Sequence, residues 1–307
     1  MVQHCRALCP SKLLPHASTR EEKMSKPLSE LTLAAYKNCL EILKRKGFPD
    51  AETLEKNPKK VWETVEQLDC SASRKKQYIS AIFWALKQDN RSTEIPLYRE
   101  KLKEQFSICI EQEESQKLSP DREKQLLPWQ DILGLKDKVK EQYGEYSQEM
   151  IIYLLYTLQA PVRVDYADMV VCRTLEDAYR DPRSNFCVHI PEKTLFVFQS
   201  YKTQKTYNTV IIEACPELHD ILKKWLVNRK TLLNIKTPTS LGRKVIDIFE
   251  AVSGKKLGVS LLRHCYITWF LSTPRSIKEK RELAKKMLHS KELQERYALV
   301  DSGSEIH

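Results

Sequence analysis

No stretch of this sequence approaches the roughly 18 consecutive apolar residues of a membrane-spanning helix, and no membrane partner is expected. There is no CxxC pair. The nine cysteines stand apart at 5, 9, 39, 70, 109, 172, 187, 215 and 265. Their odd number argues against a full disulfide framework, so reduced thiols in an intracellular setting are expected. Residues 1–26 lack the apolar core of a secretory leader. They read as a disordered extension, with Met24 a second candidate start. Internal repeats and low-complexity tracts are missing as well. Asp165 and Asp168 have no third carboxylate or histidine at ligand spacing, so no metal is expected, and no other cofactor.

Positive charge is plentiful. The 307 residues carry a formal charge of +10, which fits a polyanionic partner. Length and a 41% hydrophobic content allow two ordinary domains, each with its own core.

Residues 27–110 read as four helices with no strand signal, a small helical domain. Ser29 caps the first, which runs to Arg45 with Leu33, Leu40 and Leu43 at helical spacing and Gly47 as its stop. The second covers 59–68, the third starts at Ser71 or Ser73, and the fourth follows Pro96. Residues 111–128 are charged, hold Pro120 and Pro128, and read as a linker. A second domain is expected over 129–300, then a tail over 301–307. Its centre is strand-rich at 186–190, 194–198 and 209–212, read as a three-stranded antiparallel sheet with Lys202 near the last hairpin. Residues 173–185 read as an insertion. Helices are expected at 149–159, 216–228, 239–252, 260–271 and 277–287. The expected fold class is mainly α with a small antiparallel β-sheet: a helical N-terminal domain followed by a mixed α+β domain.

One chemistry unites the polar residues of the second domain. Moving a phosphodiester onto a side chain needs an in-line nucleophile, cations on the non-bridging oxygens, and an acid for the departing alkoxide. Arginine suits the phosphate because its planar fork grips two oxygens and stays charged. A tyrosine hydroxyl, with a free pKa of about 10, needs positive charge or a base nearby. Arg163, Lys202, Arg263, His289 and Tyr297 supply such a set in chain order.

Four stretches carry a resemblance. They are Gln159-Ala160-Pro161-Val162-Arg163-Val164-Asp165-Tyr166, Ser200-Tyr201-Lys202-Thr203-Gln204-Lys205-Thr206, Leu262-Arg263-His264-Cys265-Tyr266-Ile267-Thr268, and Leu288-His289-Ser290 through Arg296-Tyr297. In this order they resemble the tyrosine recombinases, the phage-integrase-like site-specific recombinases. The resemblance implies a core-binding domain at 27–110 and a catalytic domain at 129–300. It implies that Arg163 and Arg263 clamp the scissile phosphate and that Lys202 is the general acid toward the 5′ leaving oxygen. His289 would hydrogen-bond a phosphate oxygen, and Tyr297 would form the 3′-phosphotyrosine link. It implies double-stranded DNA as partner, a homotetramer when synapsed on DNA, no metal or nucleotide, and an integrase of a virus or mobile element. An intracellular, DNA-associated protein follows.

The match departs from the family at two places. Ser260 stands where the family often has histidine, and serine carries no proton at neutral pH. Tyr166 takes the place of the family's acidic residue, with Asp165 one nearer. Either Asp165 orients the site, or the register has shifted so that Val162 takes the arginine's place. His264 reads as a core or supporting histidine, and His189 and His219 as ordinary ones. Tyr201 and Tyr266 are rivals of Tyr297, and Lys205 of Lys202. Arg74, Lys75 and Lys76 open a helix with a basic turn suited to phosphate, and Lys205 is a further DNA-contact candidate. Two other functions stay open: a DNA-binding relative that has lost catalysis, and a type IB topoisomerase.

Overall fold

Small polar residues set where many of the helices begin. Ser29, Asp50, Ser71, Ser147, Thr174, Thr237 and Ser276 each accept from the backbone N–H three residues on. The structure is a computed structural model and describes residues 28–115 and 118–289. The chain divides into two units, with the boundary after Cys109.

The first unit holds α1 (Glu30–Arg45), α2 (Ala51–Lys56), α3 (Pro58–Glu66), α4 (Ala72–Gln88) and most of α5 (Pro96–Glu114). Cys39, Leu43, Val61, Val65, Ile79 and Leu86 form the fully buried centre of its core. Tyr98 is also fully buried, and its hydroxyl donates to the Leu54 carbonyl at 2.8 Å, tying α5 to α2. This is one helix more than expected. α2 has six residues and buries Leu54 alone, too little for a periodic pattern.

The second unit continues with α6 (Pro120–Glu123), α7 (Trp129–Leu133), α8 (Lys136–Tyr143) and α9 (Gln148–Thr157). Then come β1 (Val170–Cys172), α10 (Leu175–Tyr179), β2 (Phe186–Ile190), β3 (Lys193–Phe198), α11 (Gln204–Tyr207) and β4 (Val210–Glu213). Four helices follow: α12 (Pro216–Trp225), α13 (Pro238–Ser253), α14 (Val259–Leu271) and α15 (Ile277–Lys286). α9 is buried from Met150 to Thr157, so it is the central helix, with α8, α12 and α13 packed on it. Among the described residues no helix is long and apolar enough to cross a membrane.

The sheet corrects the expectation of three antiparallel strands. It has four, in the order β1-β2-β3-β4. β2 and β3 are antiparallel with Val188 opposite Leu195, and β3 and β4 with Val197 opposite Ile211. β1 pairs parallel to β2, Val170 opposite Phe186. Parallel neighbours need a crossover of about a dozen residues. The supposed insertion at 173–185 is that crossover, and it carries α10. Three half-buried residues show no alternation, which is why the pattern of β1 gives no strand signal.

A buried polar relay fastens the β2–β3 hairpin to α12. His189 Nδ1 and His219 Nδ1 lie 2.7 and 2.9 Å from the Thr194 hydroxyl, and His219 Nε2 lies 3.2 Å from the Pro191 carbonyl. A carbonyl only accepts, so His219 carries its proton on Nε2. Thr194 then donates to His219 Nδ1 and accepts from His189 Nδ1–H, and every group is satisfied with both rings neutral. Burial lowers the pKa of His189 below its ordinary 6.5, and a charge on His219, with those of Arg173 and Lys223, pushes it the same way.

A folded-state pKa below the unfolded one means that the native state binds fewer protons in that window. This contribution to stability is present above the unfolded imidazole value and is lost as the pH falls below about 6.5. Urea midpoints should therefore drop between about pH 7.5 and 5.5. The drop should be smaller in His189→Gln, which has no titrating ring.

Candidate active site

α14 carries Arg263 into the interior. Leu261, Leu262, Cys265 and Ile267 are buried on this helix, and Arg263 shares their fate at 1% exposure. A guanidinium taken out of water needs acceptors for its N–H groups. Nη1 donates to the carbonyls of Pro161 (2.8 Å) and Met287 (2.9 Å), and Nη2 donates to His289 Nδ1 (2.7 Å). Because the guanidinium can only donate, Nδ1 is unprotonated and the ring proton sits on Nε2. Burial, then the fields of Arg263 and Arg163, lowers the His289 pKa to about 3. His289 is therefore a neutral donor through Nε2.

Residues Met287, Leu288 and His289 form the turn that follows α15. Leu288 has φ of 55°, in the left-handed region that bulky residues rarely adopt. Each of the three consecutive carbonyls receives a side chain from elsewhere. Met287 accepts from Arg263. Leu288 accepts from Arg163 Nη1 at 2.9 Å and from Thr203 Oγ1 at 2.7 Å. His289 accepts from the Tyr207 hydroxyl at 2.8 Å. Three of the four stretches singled out in the sequence thus meet the fourth at one turn.

Lys202 is exposed and precedes Thr203 in the connection from β3 to α11. Thr203 and Tyr207, four residues apart, both reach the histidine turn. Lys205 lies two residues from each, about 200° around the helix, and is exposed on the face turned away. Asn185 holds the root of this loop. Its Oδ1 accepts from the backbone N–H of Gln199 and Ser200, both at 2.9 Å. Its Nδ2 donates to the carbonyls of Ser200 (3.0 Å) and Asp165 (3.2 Å), joining the lysine loop to the Arg163 stretch. Asn185, Thr203 and Tyr207 escaped the sequence reading, since isolated polar residues in a loop carry no periodicity.

Within the Arg163 stretch, Val162 is fully buried in the core, and it is Arg163 that reaches the turn. Tyr166 is fully buried among Tyr156, Phe196 and Phe198, its hydroxyl accepting from Gln159. The Asp165 carboxyl faces the two arginines electrostatically. Burial raises its pKa, with Arg163 and Arg263 pulling the other way, and Oδ2 has no hydrogen-bond partner among the described residues.

Ser260 is exposed one turn before Arg263 and accepts from Arg122 Nη2 at 3.2 Å. Arg122 belongs to the stretch read as a linker, which is docked on the second unit. Lys255 Nζ donates to the Lys124 carbonyl (2.6 Å), the Lys256 N–H donates to Gln125 Oε1 (2.7 Å), and Leu118, Leu126 and Leu127 pack on the core. His264, half-buried, points about 100° away from Arg263 around α14. Tyr266 packs edge-on against Trp129 with centroids 4.9 Å apart, and the Tyr201 hydroxyl donates to the Asn208 carbonyl at 2.7 Å. Tyr297, with Ser290 and Arg296, lies outside the described residues. Among the described residues no three His, Cys, Asp or Glu side chains are grouped to hold a metal ion.

In the first unit, Arg74 donates to Gln77 at 2.6 Å and lies over the Tyr78 ring, Lys76 lies over Phe106, and Lys75 donates to the Glu66 carbonyl at 3.4 Å. Arg74 and Lys76, with Tyr36, Ser71, Ser73 and Ser80, line an open groove of about 420 Å³.

The burial of the two arginines differs enough to test. Arg263→Ala strips donors from two enclosed carbonyls and an imidazole nitrogen, and should cost about 3 kcal/mol of unfolding free energy or more. Arg163 is half-buried and serves one carbonyl, so Arg163→Ala should cost about 1 kcal/mol. Urea unfolding of both variants beside the parent protein checks this ranking.

The crystal structure of XerA recombinase aligns over 90% of this chain and 89% of its own, with 15% sequence identity and a TM-score of 0.40. No family model and no curated protein matches the sequence.

Proposed function

We propose that this chain is a tyrosine-type DNA strand transferase, a site-specific recombinase that cuts and rejoins duplex DNA through a 3′-phosphotyrosine intermediate. One observation carries the reading: Arg163, Arg263, His289 and the Lys202 loop, drawn from four separate stretches, meet at one turn. A phosphate at this turn meets an arginine fork, a neutral imidazole donor and an exposed lysine within one set of linked groups.

In this reading Arg163 grips a non-bridging oxygen and His289 Nε2–H donates to another. Arg263, behind His289, fixes its tautomer and adds positive potential to the charge that builds in the transition state. The Tyr297 oxygen attacks phosphorus as its proton leaves to solvent. The P–O5′ bond breaks, its electron pair goes to the 5′ oxygen, and Lys202 gives that oxygen a proton. Rejoining is the reverse, with a 5′ hydroxyl attacking the phosphotyrosine. The bond energy is kept in that link, so no nucleotide is needed. Arg74, Lys75, Lys76 and Lys205 contact DNA phosphates, and a homotetramer on two duplexes is the assembly that exchanges strands.

A second reading, a DNA-binding relative without cleavage, is favoured by Ser260, which cannot carry a proton where a histidine was expected. A random-sequence library of nicked suicide duplexes separates the two. The strand-transferase reading expects a denaturant-resistant protein–DNA adduct from the parent and none from Tyr297→Phe, which should still bind. Salt-sensitive binding without any adduct supports the second reading. An adduct that persists in Tyr297→Phe rules out the named nucleophile. Relaxation of supercoiled plasmid lacking any selected site, without recombinant products, points instead to a topoisomerase.

A further inference from the structure

We infer that Thr203 and Tyr207 are positioning residues that fasten the lysine loop to the histidine turn, so that Lys202 and His289 address one phosphate as a unit. The inference rests on the strand-transferase reading and assigns work to two residues outside its chemistry.

Three sets of contacts make the loop a frame. Asn185 grips its root with bonds to Gln199 and Ser200. The loop closes on itself through the Tyr201 hydroxyl to the Asn208 carbonyl at 2.7 Å and the Asn208 N–H to the Gln204 carbonyl, also 2.7 Å. Thr203 and Tyr207 then bond the neighbouring carbonyls of Leu288 and His289 at 2.7 and 2.8 Å. Within this frame Lys202 is exposed. A lysine ammonium rides on a flexible four-carbon stem, so the position of its backbone decides what it can reach. The carbonyl that Thr203 holds is the one Arg163 holds, so the loop that carries the acid is anchored at the same point as the phosphate grip, and Arg163 keeps its own bond there when the loop is released.

The test compares the full-length parent with Tyr207→Phe, Thr203→Val and the double variant on a selected suicide duplex. Three quantities are read: single-turnover cleavage, affinity for uncleaved duplex, and thermal midpoint. One lost hydrogen bond should slow cleavage about tenfold in each single variant, and the double variant should lose more, with affinity changed less than about threefold. The deciding substrate carries sulfur in place of the 5′ bridging oxygen. A thiolate departs without a proton, so a defect that acts through Lys202 should largely disappear on it. A defect that persists in full on the sulfur substrate, or variants that cleave as fast as the parent on the ordinary one, would overturn the inference while leaving the reading intact. A parent that forms no adduct on either substrate overturns the reading itself, and the inference with it.

Discussion

A guanidinium withdrawn from water must be given acceptors where it stands, and Arg263 finds them in places far apart in the chain. Desolvating such a cation costs several kcal/mol even after relaxation, so the acceptors cannot be left to chance. Pro161 comes from the loop after the central helix, Met287 and His289 from the turn after α15. Satisfying one charge therefore draws three segments together, and folding of the second unit and assembly of its site become the same event. The left-handed Leu288 belongs to this constraint. Such a conformation costs on the order of 1–3 kcal/mol and persists only where its surroundings over-determine it. Here four donors on three successive carbonyls do so.

The same constraint decides the protonation state of His289. A ring that accepts from arginine at Nδ1 cannot also carry a proton there, and the buried positive field resists a second proton. Across the neutral range His289 is then a donor of constant strength. In the strand-transferase reading, pH dependence near neutrality therefore does not arise at this ring. In that reading, attraction for the phosphate falls to the half-buried Arg163 and the exposed Lys202, with the buried Arg263 acting from behind.

What could be read from the sequence follows from length and periodicity. α1, α4, α13 and α14 each run for three turns or more with apolar faces or caps, and their limits were legible to within a few residues. β2 is a buried run, apolar but for His189, and its limits at 186–190 are legible in the sequence. α2 and β1 are too short to show a period, and β1 is held by partners far along the chain, β2 on one side and residues 230–232 on the other. The charged stretch around Arg122 has a linker's composition, yet three leucines and three hydrogen bonds dock it. At the site, arginine, lysine and histidine were legible because few other jobs suit them in that order. Asn185, Thr203 and Tyr207 were not. Each works by bonding a backbone carbonyl or N–H, and a sequence does not announce which carbonyl will lie within reach.

Ser260 bears on how a nucleophile at this site could be activated. Its hydroxyl accepts from Arg122, and an arginine does not give up its proton at any pH a protein survives. Neither member of the pair can shuttle a proton. Asp165 is the carboxyl whose pKa burial raises, with Arg163 and Arg263 pulling the other way, and a raised pKa makes its ionised form a stronger base. In the strand-transferase reading, a tyrosine brought to this site can lose its proton to solvent or to the Asp165 carboxylate, and either loss is helped by positive charge. The positive potential of Arg163 and Arg263, strengthened by burial, stabilises the phenolate directly. In that reading the buried Arg263 supplies the part of this field that water screens least. In the same reading, the hydrogen bonds that fasten the lysine loop to the histidine turn hold the acid beside the carbonyl that Arg163 also grips.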